Sequence, residues 1–251
     1  MISFINRKII INFSLSRFFS SMESLYLDPG MNKSEVQKAL HHMVSLSGLR
    51  DSYVAMVCSR GRPKIPGSRD PRDCENHFFA WCVPYVHVIK PEIIDQGATA
   101  WISQNVYRIP EESVNPRVKN YHWGDFTQGI FEAKDNKYET VILLDFDGNV
   151  TEGPGFNVFA IKDGVLITPD RGVLAGVSRK TVLEIADHLG IRAVIRPLSI
   201  DELLAADEVF LSSSGGGVIP IVRVNETIYG NGVKGPISVR LNETYWQWTT
   251  L

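Results

Sequence analysis

Scarcity removes several function classes before any motif is read. The chain has only three cysteines, Cys58, Cys74 and Cys82. Their number is odd and no two stand at metal-ligand spacing, which argues against a disulfide framework or a zinc site and for a reducing compartment. Cys58 and Cys82 lie in apolar runs and read as packing residues. The histidines, at 41, 42, 77, 87, 122 and 188, form no spaced ligand set, so no metal is expected. Excess charge of either sign is also missing: 26 basic against 28 acidic residues gives a net charge of −2. That balance offers no field for nucleic acid or an anionic membrane. No apolar run is long enough to cross a bilayer, and there are no internal repeats or low-complexity segments. Acids are absent from residues 1–22, which contain Arg7, Lys8, Arg17 and several serines. This composition suits a mitochondrial presequence, but Ile9-Ile10-Ile11 reads as a strand and not as an amphipathic helix. A cytoplasmic location is therefore expected, with a mitochondrial one as the alternative.

What is present describes a globular protein. The 251 residues, 44% hydrophobic and 22% charged, can bury a large core in one domain or two. Phe18, Met22 and Leu25 share a helical face that ends before Pro29-Gly30. Ser34 with Gln37 reads as a capping box, Val36, Leu40, Met43 and Val44 as its helix's apolar stripe, and Gly48 as the C-cap. Residues 53–58 and 78–88 read as strands, the second apolar on both sides. A basic loop, 61–72, joins them, and 88–95 reads as an interdomain link. Beyond it helices and strands alternate. Asp163-Gly164 is a hairpin turn signal, a helix closes at Gly190, and a strand over 208–212 runs into Ser212-Ser213-Ser214-Gly215-Gly216-Gly217.

Four features carry chemistry. Lys119 is an amine at the end of an extended run, with Val118, Tyr121 and Trp123 placed to desolvate it, and desolvation lowers an ammonium pKa. Glu152 is an acid followed by Gly153-Pro154-Gly155, a fixed turn that allows close backbone approach. Gly176-Val177-Ser178 opens a helix whose N–H groups and dipole suit an anion, with Ser178 also read as an N-cap. Ser213, Ser214 and Gly215 could form a second nest of N–H groups. An amine for a Schiff base, a carboxylate for a pyridinium nitrogen and cradles for a phosphate are what pyridoxal 5'-phosphate (PLP) chemistry requires.

The segments Val118–Asp125, Thr151–Asn157 and Thr168–Arg179 resemble, in order, the fold-type IV (class IV) PLP-dependent aminotransferases. Their wording is closest to the (R)-selective amine transaminases, and the resemblance covers about residues 14–251. It implies a two-domain α/β fold with an incomplete small N-terminal α/β domain. That domain would span 1–86, with an irregular leader at 1–13. A link over 87–93 and a large PLP-binding domain over 94–251 would follow. It also implies a homodimer that transfers an amino group between a primary amine or a D- or branched-chain amino acid and a 2-oxo acid. Lys119 would be the catalytic residue. Arg17, Lys119, Glu152, Gly176, Val177, Ser178, Ser213 and Ser214 would bind the cofactor.

The sequence departs from the family at two places. Gly124 stands where branched-chain aminotransferases have a tyrosine, and Pro66 where some (R)-amine transaminases have a switch arginine, although Arg62, Lys64, Arg69 and Arg72 remain in that loop. Alternatives are a PLP lyase of the aminodeoxychorismate type and a shortened, inactive PLP-fold protein. A nucleotide-binding reading of residues 212–217 lacks a following Walker-type lysine.

Overall fold

In a computed structural model of the chain, residues 2–4 and 8–250 are described, with side chains for 12–248. The chain divides into two compact units. The first runs to Val86 and takes in Val118–Asn120; the second holds 87–117 and 121–249.

The first unit contains β1 (Ile2–Phe4), α1 (Lys8–Ser24), α2 (Lys33–Ser47), β2 (Ser52–Pro63) and β3 (Cys74–Pro84). The strands form an antiparallel sheet in the order β1-β2-β3. The unit's core is built on Leu15, Val36, Leu40 and Val54, with Met56, Phe78, Ala80 and Cys82 packed against it. On both long strands these residues alternate, as the two-residue period of a strand requires.

Five expectations are corrected in or beside this unit. The isoleucines at 9–11 belong to α1, not to a strand, and the irregular leader expected over 1–13 is helical from Lys8. Once a helix is nucleated, each further residue adds a backbone hydrogen bond, so helix extends cheaply beyond the packed segment. Position 1, positions 5–7, Arg7 among them, and position 251 lie outside the described residues. The capping box is made by Asn32 and Glu35 instead of Ser34 and Gln37: Asn32 Oδ1 accepts from the Ser34 and Glu35 N–H groups, and Glu35 Oε2 accepts from Asn32 N–H at 2.7 Å. Strand β3 is not buried on both sides, since Phe79 and Trp81 stack with centroids 6.0 Å apart and are exposed. The segment expected to be a link carries a helix. Ile89 is buried in the second unit's core, and Val88 N–H donates to Gly215 O at 2.7 Å.

The second unit runs α3 (Pro91–Gln96), β4 (Ala98–Tyr107), α4 (Gly124–Asp135), β5 (Thr140–Leu144), β6 (Glu152–Gly153), β7 (Phe156–Lys162), β8 (Val165–Thr168), α5 (Val177–His188), β9 (Ala193–Ile195), α6 (Ile200–Leu204), β10 (Glu208–Ser213), β11 (Gly217–Val224), β12 (Thr227–Ile228) and α7 (Pro236–Thr250). Its mixed sheet has the order β5-β4-β11-β10-β7-β8-β9, with β12 on β11 and β6 on β7. Pairs β4/β5, β4/β11 and β8/β9 are parallel, and the rest of this path is antiparallel.

Apolar layers cover both faces, which explains strands hydrophobic at consecutive positions. On β7 and β10, Val158, Ala160, Val209 and Leu211 join one core, while Phe159, Ile161 and Phe210 join the other. That second core includes Val182 and Ile185 of α5 and Leu241 and Tyr245 of α7. The β7–β8 hairpin turns at Asp163 and Gly164, both at positive φ, 47° and 74°, as a primed turn needs. Strands β8 and β9 with α5 between them make a βαβ unit, which sets the N-terminus of α5 beyond the carboxyl end of β8. In α/β sheets that is where ligands collect. Among the described residues, no helix is long and apolar enough to cross a membrane, and no group of three or more His, Cys, Asp or Glu could hold a metal ion.

Candidate functional site

The second unit gathers five of the expected binding residues, together with Glu152, into one neighbourhood. Glu152 lies in the short strand β6 and is only 5% exposed. A carboxylate so buried needs donors, and both of its oxygens have them. Oε1 faces Arg108 Nη2 at 3.2 Å. Oε2 accepts the Leu174 backbone N–H at 2.8 Å and lies 3.4 Å from Asn157 Nδ2. Asn157 also donates to Leu174 O at 2.9 Å, which fastens the acid's strand to the segment leading into α5.

That segment ends at Gly176, the N-cap of α5. Ser178 was expected to be an N-cap as well as an anion ligand; it lies two residues inside the helix, so the capping half of that reading is corrected. Gly176 has no side chain with which to cap the first-turn N–H groups. A helix start left this way keeps its donors and the positive end of its dipole for an outside acceptor. Ser178 Oγ lies 3.2 Å from Ser214 Oγ and 3.1 Å from the Tyr245 hydroxyl. Ser213 Oγ donates to Gly155 O at 2.8 Å. The Ser/Gly run is therefore the β10–β11 hairpin end, held against both the acid's turn and the helix start.

Gly176 is required by space. A Cβ there would meet Asn157 Oδ1 at 2.1 Å, on a side-chain amide already tied to Leu174 O. Gly176→Ala is expected to lower the unfolding free energy by about 1–3 kcal/mol, the usual range for overpacking, measured by chemical denaturation. Unchanged stability would show that Asn157 can move without loss.

In the first unit, Arg17 and Ser21 stand one turn apart on α1, and Ser21 Oγ accepts the Lys119 backbone N–H at 3.1 Å. Lys119 is half-buried. Of the neighbours expected to desolvate it, Val118 is buried, whereas Tyr121 is 73% exposed and Trp123, the N-cap residue of α4, is also exposed. Burial pushes the Arg17 guanidinium pKa down to about 10. An anion would offset that penalty on the charged form, and a guanidinium fork suits phosphate oxygens. In the basic loop, Arg72 is engaged by Asp70, and Ser68 Oγ donates to Asp73 at 2.5 Å.

Sequence reasoning missed Arg108, Asp125, Asn157 and Tyr245. Arg108 follows β4 and is 7% exposed. Its Nη1 is 2.6 Å from Asp125 Oδ2, and its Cζ lies 4.3 Å from the centre of the Phe126 ring. Asp125, also buried, accepts the Ile109 N–H at 3.0 Å. Asp125 and Asn157 stand inside two of the motif segments, so their position was a signal. Nothing local marks Arg108, whose partners are 17 and 44 residues away.

Comparison with known proteins gives this arrangement a context. The profile of a family described as amino-transferase class IV matches residues 11–224. A Methanocaldococcus jannaschii protein provisionally named a branched-chain-amino-acid aminotransferase is 29% identical over 234 residues, covering 92% of this chain and 79% of that protein. The structure of a branched-chain aminotransferase from Thermoproteus uzoniensis with norvaline superposes with a TM-score of 0.87 at 27% identity, over 96% of this chain and 79% of that one. A branched-chain amino acid aminotransferase from Thermobaculum terrenum in its PLP form gives 0.85 at 26%, over 96% and 78%.

Proposed function

We propose a transamination for this chain, which belongs to the class IV aminotransferase family: it moves an amino group between an amino acid and a 2-oxo acid, with PLP as cofactor. The observation that carries the reading is the buried Glu152 carboxylate, held on both oxygens and tied through Leu174 and Asn157 to a helix start whose N-cap is a glycine. These donors and this acid match the two ends of PLP in chemistry, a phosphate and a basic ring nitrogen.

When bound, PLP supplies an aldehyde that condenses with amines and a ring that withdraws electrons. The protein's part is then division of labour. Lys119 would hold the cofactor covalently and would carry a proton at Nζ. Glu152 would hold a proton on the ring nitrogen by charge pairing. The N–H groups of Val177 and Ser178, the Gly176 backbone, Ser213, Ser214 and Arg17 would bind the phosphate. A homodimer is the expected assembly.

For the amino donor, the names of the relatives support an L-amino acid with a branched aliphatic side chain. A second reading, (R)-configured amines or D-amino acids, is favoured by Gly124, which stands where branched-chain enzymes have a tyrosine. A visible spectrum of the PLP-loaded protein, followed on addition of donors, decides between them. L-Leucine and L-valine are expected to bleach the cofactor band in a single turnover, with D-alanine and (R)-1-phenylethylamine slower by at least about tenfold, or 1.4 kcal/mol in the barrier. The reverse order would move the enzyme to the second reading. Pyruvate release from a donor without any amino acceptor would point to lyase chemistry.

A further inference from the structure

We infer that Tyr245 is a positioning residue of the phosphate cradle: its hydroxyl donates to Ser178 Oγ and so turns the Ser178 proton toward the phosphate. The inference rests on the reading that this chain binds PLP.

The observations all lie in the second unit. Tyr245 is 4% exposed, and its ring belongs to the core that Phe159, Phe210, Val182 and Leu241 build. Strand β10 fixes its helix at two places. At the start of the strand, the buried Glu208 accepts the Ile237 N–H at 3.0 Å and the Ser238 N–H at 2.8 Å, which pins the first turn of α7. Beyond the other end, the turn into β11 lies flat on α7: a Cβ on Gly217 would stand 3.0 Å from Tyr245 Cδ1 and from Trp246. A tyrosine seated this closely presents its hydroxyl in one place, and there it meets Ser178 Oγ at 3.1 Å.

Ser178 Oγ is also 3.2 Å from Ser214 Oγ. It therefore joins a hydroxyl from α7 to one from the β10–β11 turn. Each hydroxyl has a single proton to give and lone pairs to fill. A phosphate dianion only accepts. When Ser178 and Ser214 both serve it, both protons point at it, and neither serine is left to donate to the other. The buried Ser178 oxygen then calls for a donor, and the Tyr245 phenol is in reach to supply it. A phenol gives up its proton more readily than an alcohol, so the favoured direction is Tyr245 to Ser178 to phosphate. Each bond in such a chain polarises the next. Packing does not account for this hydroxyl, since a phenylalanine would fill the same core with its ring.

The test compares PLP with pyridoxal, which lacks the phosphate, by measuring the dissociation constant of each for the purified protein. Tyr245→Phe keeps the ring in the core. It is expected to leave pyridoxal affinity within about twofold of wild type and to weaken PLP about fivefold, the worth of one typical hydrogen bond. In a Ser178→Ala background, where the chain has lost its middle, Tyr245→Phe is expected to change the preference for PLP by less than about twofold. A tyrosine that serves packing alone predicts equal losses for the two ligands, or the same loss in both backgrounds.

An unchanged preference for PLP in Tyr245→Phe overturns the inference, as does a preference that falls equally with and without Ser178 Oγ. If Tyr245→Phe cannot be obtained folded, a crystal structure of wild type with PLP decides. Ser178 Oγ on a phosphate oxygen, with the Tyr245 hydroxyl still on Ser178, supports the inference; a Tyr245 hydroxyl turned away from Ser178 overturns it. Failure of wild type to bind PLP, or to prefer it over pyridoxal, would instead overturn the underlying functional reading.

Discussion

Lys119→Ala protein is expected to fold, to bind PLP reversibly instead of covalently, and to lose transamination by more than about 10⁴-fold. Proton transfer by a positioned side chain contributes about 10²–10⁴ by itself, and loss of the covalent anchor adds to that. The phosphate ligands remain, so cofactor affinity falls but does not vanish. Borohydride reduction of wild type, then peptide mapping, should find the phosphopyridoxyl group on Lys119. The competing lysines are poor candidates on this structure. Lys162 pairs with Asp207 at 3.0 Å, and hydrogen bonding to that carboxylate raises its pKa, which favours the ammonium over the nucleophilic amine. Lys134 donates to Glu139 O at 2.8 Å. Label on either of them would overturn the assignment of Lys119, as would an Ala variant with wild-type turnover.

How much of this was legible in the sequence depends on how far apart the partners stand. Turn chemistry was readable where it is local. Asp163-Gly164 adopts the two positive φ angles that its composition signals, and Gly48 closes α2 in the left-handed region at φ 66°. The α5 start was readable only to within two residues: Ser178 was read as an N-cap, and Gly176 holds that place. Errors arose where two local patterns competed. Asn32 and Ser34 both begin a plausible capping box, and Asn32 prevails with Glu35, whose carboxylate reaches the N-cap N–H. Ile9–Ile11 have strand propensity, yet helix extension from the packed part of α1 overrides it, as propensity is a weak prior. The two-sided reading of 78–88 failed because apolar content alone cannot say whether a second layer covers a strand; Phe79 and Trp81 lack one in this chain.

The candidate site follows the same logic. Its motif residues could be named, but one of the bonds that hold Glu152 comes from Arg108, 44 positions away, which only folding brings near. The pairing of Ser178 with Tyr245 spans 67 positions and is equally hidden.

Glu152→Gln is expected to leave a folded protein that binds PLP but transaminates about 10²–10³-fold more slowly, the loss typical of removing one pre-organised electrostatic partner. Two physical effects combine. The amide is neutral and cannot hold a proton on a basic ring nitrogen by charge pairing. It also carries only one acceptor oxygen, whereas the carboxylate accepts from Arg108 on one side and from Leu174 N–H on the other. Whichever way the amide turns, its NH₂ group meets a donor, and an unsatisfied buried donor costs about 1–3 kcal/mol. Stability should therefore fall by an amount that denaturant titration can resolve, while the rate falls by more than that strain accounts for. The separation is made with Glu152→Asp, which keeps the charge but shortens the reach. It should suffer the packing loss and recover part of the rate. Single-turnover measurements report the chemical step without product release, and kcat is expected to fall with KM little changed, because the charge matters most as electrons move into the ring. Equal rates for Glu152→Gln and wild type would remove Glu152 from the site. Equal rates for the Gln and Asp variants would assign Glu152 a structural part in the β6 turn and none in the chemistry.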